Sequence, residues 1–372
     1  MERHKILASI LLLIVITTCV VAGRDFMNMW NEDILHPGVG VKRTGRLSDY
    51  CSTLDGTRFN STIYFLESGK PGATMLLLGG THPNEPAGFM TAVVMIENLH
   101  ITDGRVIVIP QACLSGFTCT DPLEGYPDHF TIPTANGSRS FRFGSRGANP
   151  IDQWPDPLVF LQYPSGQQLS GNETRNLNRS YPGKQDGTPV EQSAYAIMQL
   201  LKNENVDIAI DLHEAAPEIP IINALVTHPK GRDLAGAAVL NLEFDGLQYS
   251  LEMSPDNFRG LSHREWGDRT NAYAFLMETS NPIQGRLRGI TNEELILKGT
   301  DVRYWKAAQL GTMRITYDLH GEPLSLRVGR HLQGLREIVV AYNDAHPEKK
   351  LTIEHMPTFE EMTTQGIGTF LH

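Results

Sequence analysis

The sequence predicts an α/β fold in which a central mixed sheet is covered on both faces by helices. Two observations carry that expectation. Uninterrupted apolar runs (ATMLLLGG at 73–80, RVIVIP at 105–110, VDIAIDL at 206–212, AYAFLME at 272–278) alternate with amphipathic stretches, as happens when strands are buried on both faces. Histidines and carboxylates then cluster just beyond the ends of those runs, where open α/β sheets collect ligands.

Taken in order, Arg3, His4 and Lys5 precede an uncharged stretch from Ile6 to Gly23, closed by Arg24 and Asp25. A positive start, an apolar segment and the small residues Ala22 and Gly23 read as a secretory signal over residues 1–23. The stretch also reaches the lower limit of a membrane span, about 17 residues, so an uncleaved N-terminal anchor is the alternative. Either reading places the chain outside the cytoplasm, in a periplasmic or extracellular compartment. STIYFLES at 61–68 is β-like, and strands are expected at about 73–79, 105–110, 206–212 and 272–278, with the apolar run INALVT at 222–227. Helices are expected at about 86–98, 190–202 and 231–242. Residues 24–300 are assigned to a catalytic domain. From 301 to 372 the chain reads as a helical C-terminal extension, because apolar positions in VRYWKAAQL and LRVGRHLQGLREIVVAYNDA recur at steps of three and four.

The chain has 372 residues, 41% hydrophobic and 20% charged, which suffices for a full core. A net charge of −10 argues against nucleic acid as a partner, since that surface rewards clustered Lys and Arg. Without the signal, Cys51, Cys113 and Cys119 remain. Cys113 and Cys119 are the closest in sequence and the best candidates for a disulfide, with three unpaired thiols as the alternative.

The chemistry concentrates in GGTHPNEPAG at 79–88 and DLHEA at 211–215. His82, Glu85 and His213 supply the nitrogen and oxygen donors that Zn²⁺ accepts. A site with three protein ligands keeps a fourth position for water, the catalytic arrangement. Asp211 or Glu214 is placed to orient the His213 imidazole. Glu278 closes an apolar strand, where a carboxylate is expected only if paired or facing a cleft. Asn178 and Arg179, in LNRSYPG at 177–183, offer amide donors and a planar fork suited to a carboxylate. Four arginines, Arg139, Arg142, Arg146 and Arg175, are candidates to polarise a scissile carbonyl; Arg146, between Gly144 and Gly147, is preferred. Tyr249, His263, Arg264 and Trp266 lie on a polar stretch that either closes over substrate or serves as scaffold, and His100, His228 and His320 have no motif context.

GGTHPNEPAG, LNRSYPG, DLHEA and FLMETSNP (275–282), in that order over about residues 73–282, resemble the conserved blocks of the succinylglutamate desuccinylase and aspartoacylase family, within the zinc carboxypeptidase superfamily. The resemblance implies a zinc-carboxypeptidase-like fold and one zinc ion per chain held by His82, Glu85 and His213. It also implies Glu278 as general base and acid, and Asn178 with Arg179 as substrate binders. The sequence departs from the compact deacylases in an aromatic, Gly- and Pro-rich insertion at about 115–170 and in its C-terminal part. The implied activity is zinc-dependent cleavage of an amide bond in a carboxylate-bearing substrate, an N-acyl amino acid, with a metallocarboxypeptidase acting on peptides, including cell-wall peptides, as the alternative. A zinc-binding recognition protein without chemistry would have lost the base or a ligand, and this sequence retains both.

Overall fold

The computed structural model describes residues 2–121 and 126–372. Helix α1 (Glu2–Asn28) comes first; its stretch Arg3–Asn28 is long and apolar enough, by length and composition, to cross a membrane, and none of it is buried. Strands β1 (Val41–Arg46), β2 (Thr62–Glu67) and β3 (Thr74–Leu78) lead into α2 (Pro86–Asn98), followed by β4 (His100–Asp103) and β5 (Arg105–Ile109). The insertion carries two hairpins, β6 (His129–Thr134) with β7 (Gly137–Arg142), and β8 (Val159–Leu161) with β9 (Gln168–Ser170). Next come α3 (Pro189–Asn203), β10 (Ile208–Ala215), β11 (Ala224–Thr227), α4 (Arg232–Phe244), β12 (Ser250–Met253), α5 (Ser262–Arg269) and β13 (Tyr273–Ser280). The chain ends with α6 (Glu293–Lys298), α7 (Val302–Gln309), α8 (Leu324–Ala345), β14 (Thr352–Glu354) and α9 (Phe359–Gln365).

Eight strands form one mixed sheet in the order β1-β2-β5-β3-β10-β13-β11-β12. Its middle, β5-β3-β10-β13, is parallel, and β1, β2 and β11 run against their inner neighbours. Every residue of β3 and β10 is buried, which explains why these strands read as continuous apolar runs rather than alternating ones. Met75, Leu77, Ile210, Leu212 and Met277 face a core shared with α2, α4 and α8. Leu76, Leu78, Ala209 and Ala274 face the opposite core, shared with α3 and Trp266 of α5. The mixed sheet with helices on both faces is the architecture expected from the sequence.

Local signals set the helix starts. Thr188 and Glu191 cap α3 reciprocally, with Pro189 at its first position, so two otherwise orphaned backbone donors are satisfied. Gly80 sits at φ +64° in the turn after β3, a conformation open to glycine at little cost. Gly88 lets α2 lie directly on β10, because a Cβ there would stand 2.5 Å from the Leu212 carbonyl oxygen.

Part of the aromatic insertion joins the core: Phe117, Phe130 and Phe141 pack edge-on around Phe89 of α2, with ring centroids 5.3–6.4 Å apart. The residues after 300 are also built into the molecule. α8 buries Val328, Leu332, Leu335 and Ile338 in the same core as α2 and α4, and β14 pairs with β4. Cys51, Cys113 and Cys119 are free thiols, so the expected Cys113–Cys119 bond is absent from this structure.

Candidate metal centre

The three proposed ligands meet where β3 and β10 end. His82 follows the Gly79-Gly80 turn, Glu85 occupies the cap position of α2, and His213 lies on β10. The Glu85 carboxylate does not cap its helix. It turns inward, with Oε1 2.8 Å from His82 Nδ1 and Oε2 2.9 Å from His213 Nδ1, while Oε2 also accepts the Glu214 backbone N–H at 3.0 Å. The two Nδ1 atoms are 3.2 Å apart. All three residues are almost fully buried and together form a group that could hold a metal ion.

The outer faces of the imidazoles determine which nitrogen faces the centre. His82 Nε2 lies 3.0 Å from Asn176 Oδ1, and His213 Nε2 lies 3.0 Å from Asp211 Oδ2. Donation of Nε2–H from His82 to Asn176 Oδ1 turns the His82 Nδ1 lone pair inward, the tautomer a metal ligand needs, and the Asp211 carboxylate stands within ion-pair distance of His213 Nε2. Asp211 Oδ1 accepts from Thr81. Asn176 also accepts the Asn178 backbone N–H, capping the single 3₁₀ turn Leu177–Arg179. Of the two acids flanking His213 in sequence, Asp211 is the one that touches its ring. Glu214 points to the other face of the sheet, where it accepts Ala87 N–H at 2.8 Å and pairs with Arg327 of α8 at 2.6 Å.

Charge is distributed unevenly across the centre. Burial, reinforced by the Arg146 guanidinium, pushes His82 down to about 4. Burial works against charge on His213 too, but Asp211 and Glu85 outweigh it and hold that imidazole well above its ordinary value. Burial likewise disfavours the Glu85 carboxylate, yet the two imidazoles hold it well below the usual carboxylate range. The two carboxylates on either side of His213, Glu85 and Asp211, thus favour a positive charge between them.

Glu278 is the register partner of His213 on the neighbouring parallel strand. Its Oε2 is buried without a hydrogen-bond partner among the described residues, and burial pushes the carboxyl up to about 8, with Glu85 adding to the shift and His213 and Arg146 opposing it. His82, Glu85, His213, Glu278, Asn178, Arg179 and Arg146 all line one cavity of about 630 Å³. Arg146 reaches it from the insertion, 3.2 Å from Glu85 Oε1 and 3.3 Å from His82 Nδ1. The other candidate arginines are engaged elsewhere: Arg139 with Glu97, Arg142 with Asp33 and Arg175 with Asp156. Arg179 lies over the Phe258 ring at 4.8 Å, with Glu173 3.9 Å away. Asn178 Oδ1 accepts the Ser262 N–H at 2.8 Å, tying the start of α5 to the Asn-Arg turn.

From the polar stretch, His263 lines the cavity, whereas Tyr249 and Trp266 are core residues and Arg264 pairs with Asp256. His228 bonds Asp268, and the exposed His100 and His320 pair with Glu354 and Asp318, all outside the cavity. Asn176 and Arg327 were missed in the sequence, since neither lies in a motif that names its partner.

No protein-family model matches the chain, and no curated protein does. Similar solved structures include a succinylglutamate desuccinylase from Silicibacter sp. TM1040, at 14% identity and TM-score 0.43, covering 84% of this chain and 71% of that one. An aspartoacylase family protein from Mesorhizobium loti aligns at 19% identity and TM-score 0.39, covering 67% and 65%. The tripeptide-bound cell shape determinant Csd4 from Helicobacter pylori aligns at 13% and 0.45, covering 82% and 59%. At these identities and scores the likeness assigns no residue a role.

Proposed function

We propose that the protein is a zinc-dependent hydrolase that cleaves an amide bond in a carboxylate-bearing substrate, a deacylase of the N-acyl amino acid type that works outside the cytoplasm. The observation that carries this reading is the convergence of His82 Nδ1, His213 Nδ1 and the Glu85 carboxylate beside Glu278 Oε2, which has no partner among the described residues, in a cavity also lined by Arg146, Arg179 and Arg286. The donor set fits zinc: two neutral imidazole nitrogens with outward N–H groups satisfied, and one carboxylate. His82, Glu85 and His213 would hold one ion, which when bound polarises a carbonyl and lowers the pKa of water.

The chain's own residues supply the rest. Glu278 Oε2 accepts a proton from the attacking water and returns it to the departing amine nitrogen. A carboxyl whose pKa is raised by burial suits that double duty near neutral pH. Arg146 faces the carbonyl oxygen as negative charge develops there, an effect of about 3–4 kcal/mol where single donors have been removed. Arg179 and Asn178 hold the substrate carboxylate. The apolar α1 supports export or anchoring.

A second reading, a metallocarboxypeptidase acting on peptides, is supported by the cavity volume, which falls in the range that admits ligands larger than a short-chain acylated amino acid. Hydrolysis of N-acyl amino acid and peptide panels by the zinc-loaded protein tests both. We expect turnover that is lost on chelation and restored by zinc; no turnover at full zinc occupancy overturns the hydrolase reading.

A further inference from the structure

The wall beside Glu278 is apolar, and the residues that form it have no packing role in the two cores. Val226 of β11 and Leu276 of β13 are register partners. Leu276 lies two residues before Glu278, hence on the same face of the strand, about 7 Å along it. Leu261 precedes α5, and all three line the cavity while 4–7% exposed. None of them belongs to either hydrophobic core. Phe258, under the Arg179 guanidinium, continues the wall toward the carboxylate end. At the mouth, Ile219 and Ile221 are 38% and 43% exposed, large apolar side chains presented to the cavity rather than to a neighbour.

His263 adds a polar contact to this wall. It is 3% exposed, and neither ring nitrogen has a hydrogen-bond partner among the described residues. Burial pushes it down to about 3, so the ring is neutral, with one donor and one acceptor to offer. A buried polar group left unpaired is costly, which leaves these two atoms for a ligand or water in the cavity.

We infer that the amino-acid moiety held by Arg179 carries a bulky apolar side chain, of leucine or phenylalanine size, seated against Leu261, Leu276 and Val226 with Ile219 and Ile221 closing over it, and that His263 hydrogen-bonds a polar group of the same substrate. This rests on the proposed hydrolase reading for turnover, but not for binding. Phe258 at Arg179 and Leu276 next to Glu278 line the same cavity, so a group seated against these residues lies between the anchored carboxylate and the scissile bond. Arg286, exposed at the rim, is the cation that an acidic side chain would need instead.

The test has two arms on the zinc-loaded full chain. In the first, N-acetyl derivatives of leucine, phenylalanine, alanine and aspartate are compared for kcat/KM. Leucine and phenylalanine should exceed alanine by at least about tenfold, as apolar pockets discriminate, and should exceed aspartate by more. Ile219→Ser, which alters a partly exposed side chain, and Leu276→Ala should each shrink the preference for leucine over alanine, and His263→Phe should weaken leucine and alanine derivatives alike. In the second, binding of free leucine, phenylalanine and aspartate is measured by calorimetry. Hydrolysis with equal or acidic preference overturns the apolar subsite and leaves the hydrolase standing. Selective binding of leucine and phenylalanine without hydrolysis sinks the hydrolase reading and leaves the subsite. A leucine preference untouched by both wall variants also overturns the assignment.

Discussion

His213 and Glu278 stand side by side on β10 and β13, register partners on adjacent parallel strands. Partners in this relation project from the same face of a sheet, with backbones about 4.8 Å apart. The sheet itself therefore places the His213 imidazole, a proposed metal ligand, beside the Glu278 carboxyl, without help from a mobile loop. Glu278→Gln keeps the shape and removes the proton carrier. We expect zinc content to be unchanged and kcat to fall by at least about 10²-fold, the low end for a missing general acid-base group. Turnover near the wild-type value in a zinc-loaded variant would assign the base elsewhere.

The same substitution has a pH signature in the chelated protein. A carboxyl raised in the folded state to about 8, against about 4.3 when unfolded, contributes stability that is complete below the unfolded value and is lost as pH rises through the folded one. Glutamine does not titrate. Metal-free Glu278→Gln should therefore gain in Tm relative to metal-free wild type between pH 5 and pH 8. Parallel Tm curves would show that Glu278 ionises without cost.

How much of this was legible follows from which interactions are local. The strands β3, β10 and β13, which carry or lead into the site, were visible because burial on both faces forces continuous apolar runs. His82 and Glu85 were visible because only the two turn residues Pro83 and Asn84 separate two donor side chains. β1 (VKRTGR) and β12 (SLEM) were not, since edge strands of this sheet are half exposed and carry polar side chains. The periodicity of α8 announced a helix and an apolar stripe but could not say that the stripe covers β10 and β13, and so the C-terminal segment read as an extension. Asn176 immediately precedes the LNRSYPG motif, yet only the fold shows its Oδ1 facing His82.

Zinc binding should release a proton and strengthen as pH rises, because in the metal-free protein Asp211 and Glu85 keep His213 protonated well above its ordinary range. Titration of chelated protein with zinc in weak buffer at pH 7 measures the release directly. Wild type should take up about one ion per chain, and His82→Ala and His213→Ala should each lose most of it. Undiminished zinc in both variants would remove these residues from the ligand set.

Arg179→Lys keeps the charge and loses the planar fork, so a bidentate carboxylate should be held less well while zinc content stays constant. The informative comparison sets a free-carboxylate substrate against its amide. Wild type should prefer the acid, and Arg179→Ala should lose most of that preference. If the preference survives, the anchor is another cation of the cavity, with Arg146 and Arg286 the candidates.

The most remote support for the centre is Arg327, 113 residues from Glu214 and fully buried with it. Its Nη1 donates to Glu214 Oε1 at 2.6 Å, its Nε to the Glu322 carbonyl at 3.0 Å, and its Nη2 to the Ile296 carbonyl. Glu214 Oε2 in turn receives the N–H of Ala87 in the first turn of α2, and the Glu214 backbone N–H holds Glu85. α8 is thus linked through one ion pair to the helix start that presents Glu85, a proposed metal ligand. Arg327→Met leaves the Glu214 carboxyl buried without its partner, which for buried pairs costs about 3–5 kcal/mol. Glu214→Gln alone strands the guanidinium, and the double variant removes both charges. We expect each single variant to lower Tm and zinc affinity more than the double variant does. Equal or additive losses in the double variant would show that Arg327 supports the core without coupling to the metal centre.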